Sequence, residues 1–210
     1  MLSILFAVFA GTVLLLLIMA KIITRERHLT ATRPETARIR ELAQTQLSPI
    51  INEMIAAGPL RPGWLRKHFY YYSLAIVGFL REPFLAVPTV SSIRWVSINK
   101  RRRLLFLSSY HNTTDFYVRE FLTGSTPVGV NFIFSNGQGF PNAPYLYQQG
   151  IRADPEGYMD VIHTYQGITD FWYAHDPDLT SDVINKNRNI RLGLFGTMNE
   201  SKSQKWLELF

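Results

Sequence analysis

The chain opens on an apolar run. Residues 2–20 contain no charged side chain, and Ile22 and Ile23 extend the run to about twenty residues, the length at which a helix spans a bilayer. A cleaved signal peptide would have a positively charged start and a shorter apolar core, whereas Lys and Arg first appear at Lys21. The pattern therefore predicts a transmembrane helix over residues 1–23.

Basic residues follow this run, and none precedes it. They are Lys21, Arg25, Arg27, Arg33, Arg38 and Arg40. Because the cytoplasmic flanks of membrane helices carry an excess of Lys and Arg, this flank predicts a single-pass membrane protein whose C-terminal part lies in the cytoplasm.

Residues 24–91 have the pattern of a juxtamembrane helical and interfacial region. Thr32, Pro34 and Glu35 are typical of a helix start. Apolar residues then recur at mostly helical spacing as far as Gly58, and Pro49 is expected to kink or split this helix. The aromatic-rich segment 68–80 is too short to cross a bilayer. It is either a helix that lies at a membrane interface or faces a partner, or an ordinary buried helix.

Strands and helices alternate from Ser92 onward. The alternation of apolar and polar residues predicts a hairpin from strands 93–98 and 103–108. Further elements follow as a helix over 113–123 that stops at Gly124, a strand over 128–134, a helix over 155–165, a strand over 168–173 and a helix over 179–194. The order ββαβαβα predicts an α+β, ferredoxin-like antiparallel sheet domain over residues 92–196, followed by a tail over 197–210.

Composition narrows the choice of partners. Of the 210 residues 47% are hydrophobic, which excludes wholesale disorder. The chain has no cysteine, which excludes a disulfide scaffold, a thiolate metal site and a cysteine nucleophile.

The charge balance is basic, because 22 Lys and Arg outnumber 16 Asp and Glu and give a net charge of +6. This balance favours a polyanionic partner, either an anionic membrane surface or nucleic acid. Nucleic acid is the less favoured of the two, because no recognised binding motif accompanies Trp95 and Tyr110.

The sharpest charge cluster is Lys100, Arg101, Arg102 and Arg103, which stands on the predicted hairpin turn. Each of these cations could gain about 1 kcal/mol from anionic lipid headgroups. The alternative is a solvated sheet edge whose charges discourage edge-to-edge pairing. The cluster is therefore a candidate lipid-headgroup contact.

Candidate catalytic residues are sparse. His111 and Asp115 form an i,i+4 pair at a predicted helix start, where the carboxylate could orient the imidazole or the pair could simply cap the helix. His163 lies on the helix predicted over 155–165, and Arg152 shortly precedes that helix. No metal-binding motif, phosphate loop or nucleophile elbow is present.

Several short motifs stand in order across residues 92–191: RW at Arg94, RLLFLSSY from Arg103, DFYVREFL from Asp115, FSNGQGFP from Phe134, FWYA from Phe171, DLT from Asp178 and NRNIR from Asn187. Together they resemble a bacterial family described as related to dye-decolourising peroxidases, whose ferredoxin-like domains form dimeric α/β barrels. The resemblance implies that fold. Peroxidase chemistry would need a distal Asp and Arg over a haem and a proximal His. Where the related sequences carry Asp-Gly, this chain has His111-Asn112 after Tyr110, so it lacks the acid.

These observations favour a non-enzymatic role. We expect a membrane-anchored assembly or accessory subunit, in a bacterial inner membrane, that contacts other subunits or a second copy of itself and needs no cofactor. The alternative is a peroxidase-like enzyme at the membrane surface that binds haem or another lipophilic ligand. Its first candidate residues are His111, Asp115, Arg152 and His163.

Overall fold

A computed structural model describes residues 2–25, 32–44, 51–79, 87–123, 126–176 and 178–210. Its elements are α1 (Leu2–Arg25), α2 (Thr36–Gln44), β1 (Ile51–Pro59), α3 (Trp64–Phe79), β2 (Val90–Ile98), β3 (Arg103–His111), α4 (Thr114–Glu120), α5 (Thr126–Phe134), α6 (Pro144–Tyr147), a 3-10 turn (Gly150–Arg152), α7 (Pro155–Tyr165), α8 (Ser181–Phe195) and α9 (Glu200–Leu207). Arg27, the predicted kink at Pro49, the end of segment 68–80 and the predicted helix stop at Gly124 lie outside the described residues.

The three strands form one antiparallel sheet in the order β1-β3-β2. The predicted hairpin is confirmed, with Ile98 opposite Arg103. Strand β1 pairs along the other edge of β3, from Ile51 opposite His111 to Pro59 opposite Arg103. The α+β class of the prediction is therefore confirmed.

One face of the sheet is covered by helices. Alternate side chains of β3 are buried, among them Phe106 and Tyr110, as expected for a strand with one face on a core. The ring of Tyr110 stacks on Tyr117 of α4 at a centroid distance of 4.0 Å. Helix α7 begins where the sequence predicts, because Asp154 caps it by accepting the Gly157 N–H at 2.9 Å.

The ferredoxin-like prediction is wrong in two elements, and the prediction for the region before it is wrong in one. Residues 128–134 belong to helix α5, since most of this run is buried and no polar alternation marks a strand. Residues 168–173 form no regular element, and Phe171 and Tyr173 are exposed. In the region before residue 92, the helix predicted up to Gly58 is described as α2 over Thr36–Gln44, and its second part is strand β1. The described residues therefore give a sheet of three strands.

The prediction of a transmembrane helix at the N-terminus is also wrong. Of the helices that the structure describes, none is long and apolar enough to cross a membrane. This finding contradicts the predicted transmembrane helix over residues 1–23 and the single-pass membrane localisation with a cytoplasmic C-terminal part. Met19 is fully buried in a cluster with Phe69, Phe132 and Tyr147. The face of α1 that carries Met19 therefore covers a protein core, whereas Leu17 and Ile18 are exposed.

Helix α3 packs into the same cluster. Phe69, Tyr70 and Val77 are buried, and the Phe69 ring meets Phe132 edge-on at 5.2 Å. For this face of the helix the structure matches the buried-helix alternative. A contact of segment 68–80 with a membrane interface stays a prediction.

Candidate functional site

A cleft of about 720 Å³ opens at one end of the sheet. It lies where β1 ends, where α3 begins and where β2 turns into β3. We call it the basic cleft, because seven cationic residues line it: Arg61, Arg66, Lys67, Lys100, Arg101, Arg102 and Arg103. Within the described part of the chain, no Asp or Glu lines the cleft.

The hairpin turn supplies four of these cations. Asn99, Lys100 and Arg101 have φ angles of 52°, 53° and 64°, a left-handed conformation that is uncommon for residues other than glycine. The turn is closed by the Arg102 N–H, which donates to the carbonyls of Ile98 and Asn99 at 3.2 Å each. The Arg101 guanidinium lies 5.1 Å from the ring centroid of Tyr71, so α3 and the turn also meet through a cation–π contact.

Backbone hydrogen bonds fix the segment between β1 and α3 against this turn. The Leu60 N–H donates to the Arg102 carbonyl at 2.9 Å, and the Arg61 N–H donates to the Asn136 carbonyl at 2.7 Å. The side-chain amide of Gln138 also donates to the Leu60 carbonyl at 3.2 Å. Main-chain hydrogen bonds therefore join this segment to the hairpin turn and to Asn136 after α5.

Two arginines are anchored in its wall. The Arg61 guanidinium donates to the carbonyls of Gly137 and Phe140 at 3.1 and 3.2 Å. The Arg66 guanidinium is buried and donates to the Asn136 side-chain oxygen at 3.4 Å. These hydrogen bonds to main-chain and side-chain oxygens hold both guanidinium groups in the wall of the cleft.

Among the described residues, Trp64 and Tyr70 also line the basic cleft. Trp64 is 73% exposed, and its ring lies 4.4 Å from that of His68. Burial raises the pKa of Tyr70 to about 12, so its phenol is neutral near pH 7 and adds no negative charge. Trp64 offers an open ring face beside the cations, on which a planar or cationic group could stack.

The structure separates the predicted pair of His111 and Asp115. The Asp115 Oδ1 atom lies 3.5 Å from Nε2 of His163. His111 is buried at the end of β3 and contacts Ser91 and Ser181. Arg152 is exposed at the end of the 3-10 turn. Two of the four catalytic candidates, Asp115 and His163, are therefore in contact.

The hydrogen bonds of His111 fix its tautomer. The Ser181 N–H donates to Nδ1 at 3.1 Å, so Nδ1 carries no proton in the neutral ring. The proton is on Nε2, which lies 3.2 Å from the Ser91 Oγ and donates to it. In this arrangement His111 cannot accept the Ser91 proton as a general base.

The residues present do not fit the haem site that the peroxidase resemblance implies. Among the described residues that line the basic cleft there is no histidine. The cavity that His163 lines has a volume of about 260 Å³, below the roughly 300–1,000 Å³ of pockets for drug-sized ligands. Hydrogen bonds engage both ring nitrogens of His111.

Only the turn cations of the basic cleft are recognisable as a cluster in the sequence. Arg61, Trp64 and Lys67 were not predicted to belong to the same site. The sequence gives only a weak signal for this part of the site, namely three cations around Trp64 within residues 61–67. The pairing of β1 with β3 brings this segment to the hairpin turn.

Comparisons of this chain with protein-family models, with curated proteins and with solved structures find no match.

Proposed function

We propose that the basic cleft binds a compact ligand with clustered phosphate groups, either as a free molecule or as the headgroup of an anionic lipid. The observation that carries this proposal is the convergence of seven cations, without a carboxylate among the described lining residues. Such a potential concentrates anions and raises their rate of association.

The shape and chemistry of the cleft support a small ligand. Its volume of about 720 Å³ lies within the roughly 300–1,000 Å³ typical of small-molecule sites. Five of the seven cations are arginines, whose planar guanidinium groups bind phosphate oxygens in pairs. Trp64 could stack on a ring attached to the phosphates.

The test compares two double variants of equal charge change. Lys67→Gln with Arg102→Gln removes two exposed cations from the cleft, and Lys202→Gln with Lys205→Gln removes two exposed cations from α9. Calorimetry with tripolyphosphate should show a Kd raised about thirtyfold by the first pair, because each cation contributes about 1 kcal/mol. The second pair should change the Kd less than about twofold, because salt screens the effect of exposed charges that lie far from the ligand.

Vesicles distinguish the two sources of phosphate. Flotation uses phosphatidylcholine vesicles with and without phosphatidylinositol bisphosphate. Binding to tripolyphosphate alone indicates a free ligand, and charge-dependent binding to the anionic vesicles as well indicates a headgroup. If neither probe binds, or if both double variants lose affinity equally, the proposal is wrong.

A second candidate function, assembly with another copy of the chain, rests on α8. No residue of this helix is buried, although Val183, Ile184, Leu192 and Leu194 are apolar and each at least 37% exposed. Exposed apolar side chains along one helix make it a candidate interaction surface.

Sedimentation velocity over a concentration series tests this assembly. The wild-type chain should self-associate, and Leu194→Glu should shift it to monomer, because a charge in an apolar interface loses its hydration. Lys186→Glu, an exposed position on the same helix, is the control and should leave association unchanged. A wild-type chain that stays monomeric throughout the series would refute this function.

A further inference from the structure

Trp64 is the exposed aromatic residue of the basic cleft. It begins α3 and is 73% exposed. The His68 ring lies about one turn further along the helix, with its centroid 4.4 Å from that of Trp64. The Nδ1 atom of His68 lies 2.9 Å from the Trp64 carbonyl oxygen and donates to it, because a carbonyl can only accept. Contact with His68 therefore limits how the indole can turn, while its exposure leaves ring surface for a ligand.

Cations follow Trp64 along the same face of α3. Lys67 comes three residues after Trp64 and Tyr71 four residues after Lys67, so the three side chains lie on one side of the helix. Lys67 is exposed and lines the cleft, and the Arg101 guanidinium of the hairpin turn lies 5.1 Å from the Tyr71 ring centroid. An aromatic ring, a cation of α3 and a cation of the turn therefore follow one another over roughly 10 Å along the helix.

This order of groups fits the chemistry of a nucleotide. A nucleoside polyphosphate carries a planar aromatic base at one end and clustered phosphates at the other. Aromatic side chains bind bases by stacking, and arginine and lysine bind phosphates. The headgroup of an anionic lipid supplies phosphates without an aromatic ring, so it would leave Trp64 unused.

The size of the basic cleft favours a single nucleotide over a nucleic-acid strand. A groove for single-stranded nucleic acid typically holds about four nucleotides or more. The cleft has a volume of about 720 Å³, which is typical of a site for one small molecule. A strand would therefore extend beyond the cleft, whereas one nucleotide fits within it.

We propose that the basic cleft binds a nucleoside polyphosphate, whose base stacks on Trp64 and whose phosphates are bound by Lys67, Arg101 and Arg102. This inference rests on the proposed function, and it narrows the ligand from any clustered phosphate to a nucleotide. The phosphates supply most of the affinity through their charge. The base adds a preference for nucleotides over phosphates that lack a base, and stacking alone can provide it because every base has a ring face.

The test compares ATP with methyl triphosphate, which carries the same triphosphate monoester and no base. Calorimetry with the full chain, in buffer without divalent cations, should give a Kd for ATP about tenfold lower than for methyl triphosphate, within the range that base stacking contributes. Saturation with ATP should also quench tryptophan fluorescence, because the base covers the Trp64 indole. Methyl triphosphate should leave the fluorescence unchanged.

Substitutions of Trp64 locate the base. Trp64→Ala should raise the Kd of ATP about tenfold and change that of methyl triphosphate less than about twofold. Trp64→Phe keeps a ring and should retain most of the preference for ATP, although it abolishes the fluorescence change. Phe171 is 82% exposed and does not line the cleft, so Phe171→Ala is the control and should leave both Kd values unchanged. Retained binding of methyl triphosphate shows that each variant is folded.

The outcomes separate this inference from the proposed function. Equal Kd values for ATP and methyl triphosphate, or an equal loss of both in Trp64→Ala, would overturn the nucleotide and leave phosphate binding in place. An oligoadenylate that binds more than about tenfold tighter than ATP would also overturn it and indicate single-stranded nucleic acid. If neither compound nor tripolyphosphate binds, the proposed function is wrong, and this inference with it.

Discussion

Burial and one backbone hydrogen bond determine how His111 responds to pH. Burial lowers its pKa below the ordinary value of 6.5, and the nearby Asp182 carboxylate opposes that shift. The Ser181 N–H donates to Nδ1, and a proton on that nitrogen would replace the hydrogen bond with a clash between two donors. The fold therefore binds the neutral ring in preference to the charged one.

This preference predicts the sign of a pH effect on stability. Because the folded pKa lies below the unfolded value, the unfolded chain binds more protons as the pH falls. The contribution of His111 is fully present above about pH 6.5 and is lost as the pH falls through its folded pKa. In urea titrations between about pH 7 and pH 5, His111→Gln should show a smaller loss of unfolding free energy than the wild-type chain.

The exposed His175 provides the control for this measurement. His175→Gln should keep the full pH dependence of the wild-type chain. An equally steep loss in His111→Gln would show that other groups control the acid response and that the imidazole contributes nothing to it.

The sequence revealed only the part of the basic cleft that is contiguous along the chain. Lys100 to Arg103 are four adjacent cations, so this cluster can be recognised without knowledge of the fold. Arg61 and Trp64 join them only through the register that places Pro59 opposite Arg103. No local pattern encodes that register, so these two residues could not be assigned to the site in advance.

At the scale of elements, local sequence patterns predicted the elements that a turn or a helix cap determines. They failed for the elements that contacts with distant segments determine. The β2–β3 hairpin and α7 were predicted because a turn and an Asp–Pro helix start are local features. Helix α5 was mistaken for a strand because a continuously buried apolar run has no distinguishing period. Strand β1 was mistaken for a helix because its pairing with β3 comes from outside its own segment.

At the scale of the whole molecule, the chain uses its N-terminal helix as part of the fold. Leu15, Leu16 and Ile22 pack against the cluster in which Met19 is buried, and the same cluster includes residues of α3 and α5. An apolar run alone cannot show whether its side chains meet lipid or protein, because both environments favour the same residues. The distinction comes from the side chains that the rest of the chain places beside it.

The packing of α1 can be measured by truncating one side chain on each of its faces. Met19→Ala should lower the free energy of unfolding by about 2–5 kcal/mol, because it opens a cavity in a closed cluster. Leu14→Ala, on the same helix at a position that is 59% exposed, should change it by less than about 0.5 kcal/mol. Urea denaturation followed by tryptophan fluorescence gives both values. Equal, small losses would mean that α1 does not stabilise the fold, whereas a large loss confined to Met19 would identify the helix as a structural layer over the cluster that contains Phe69 and Phe132.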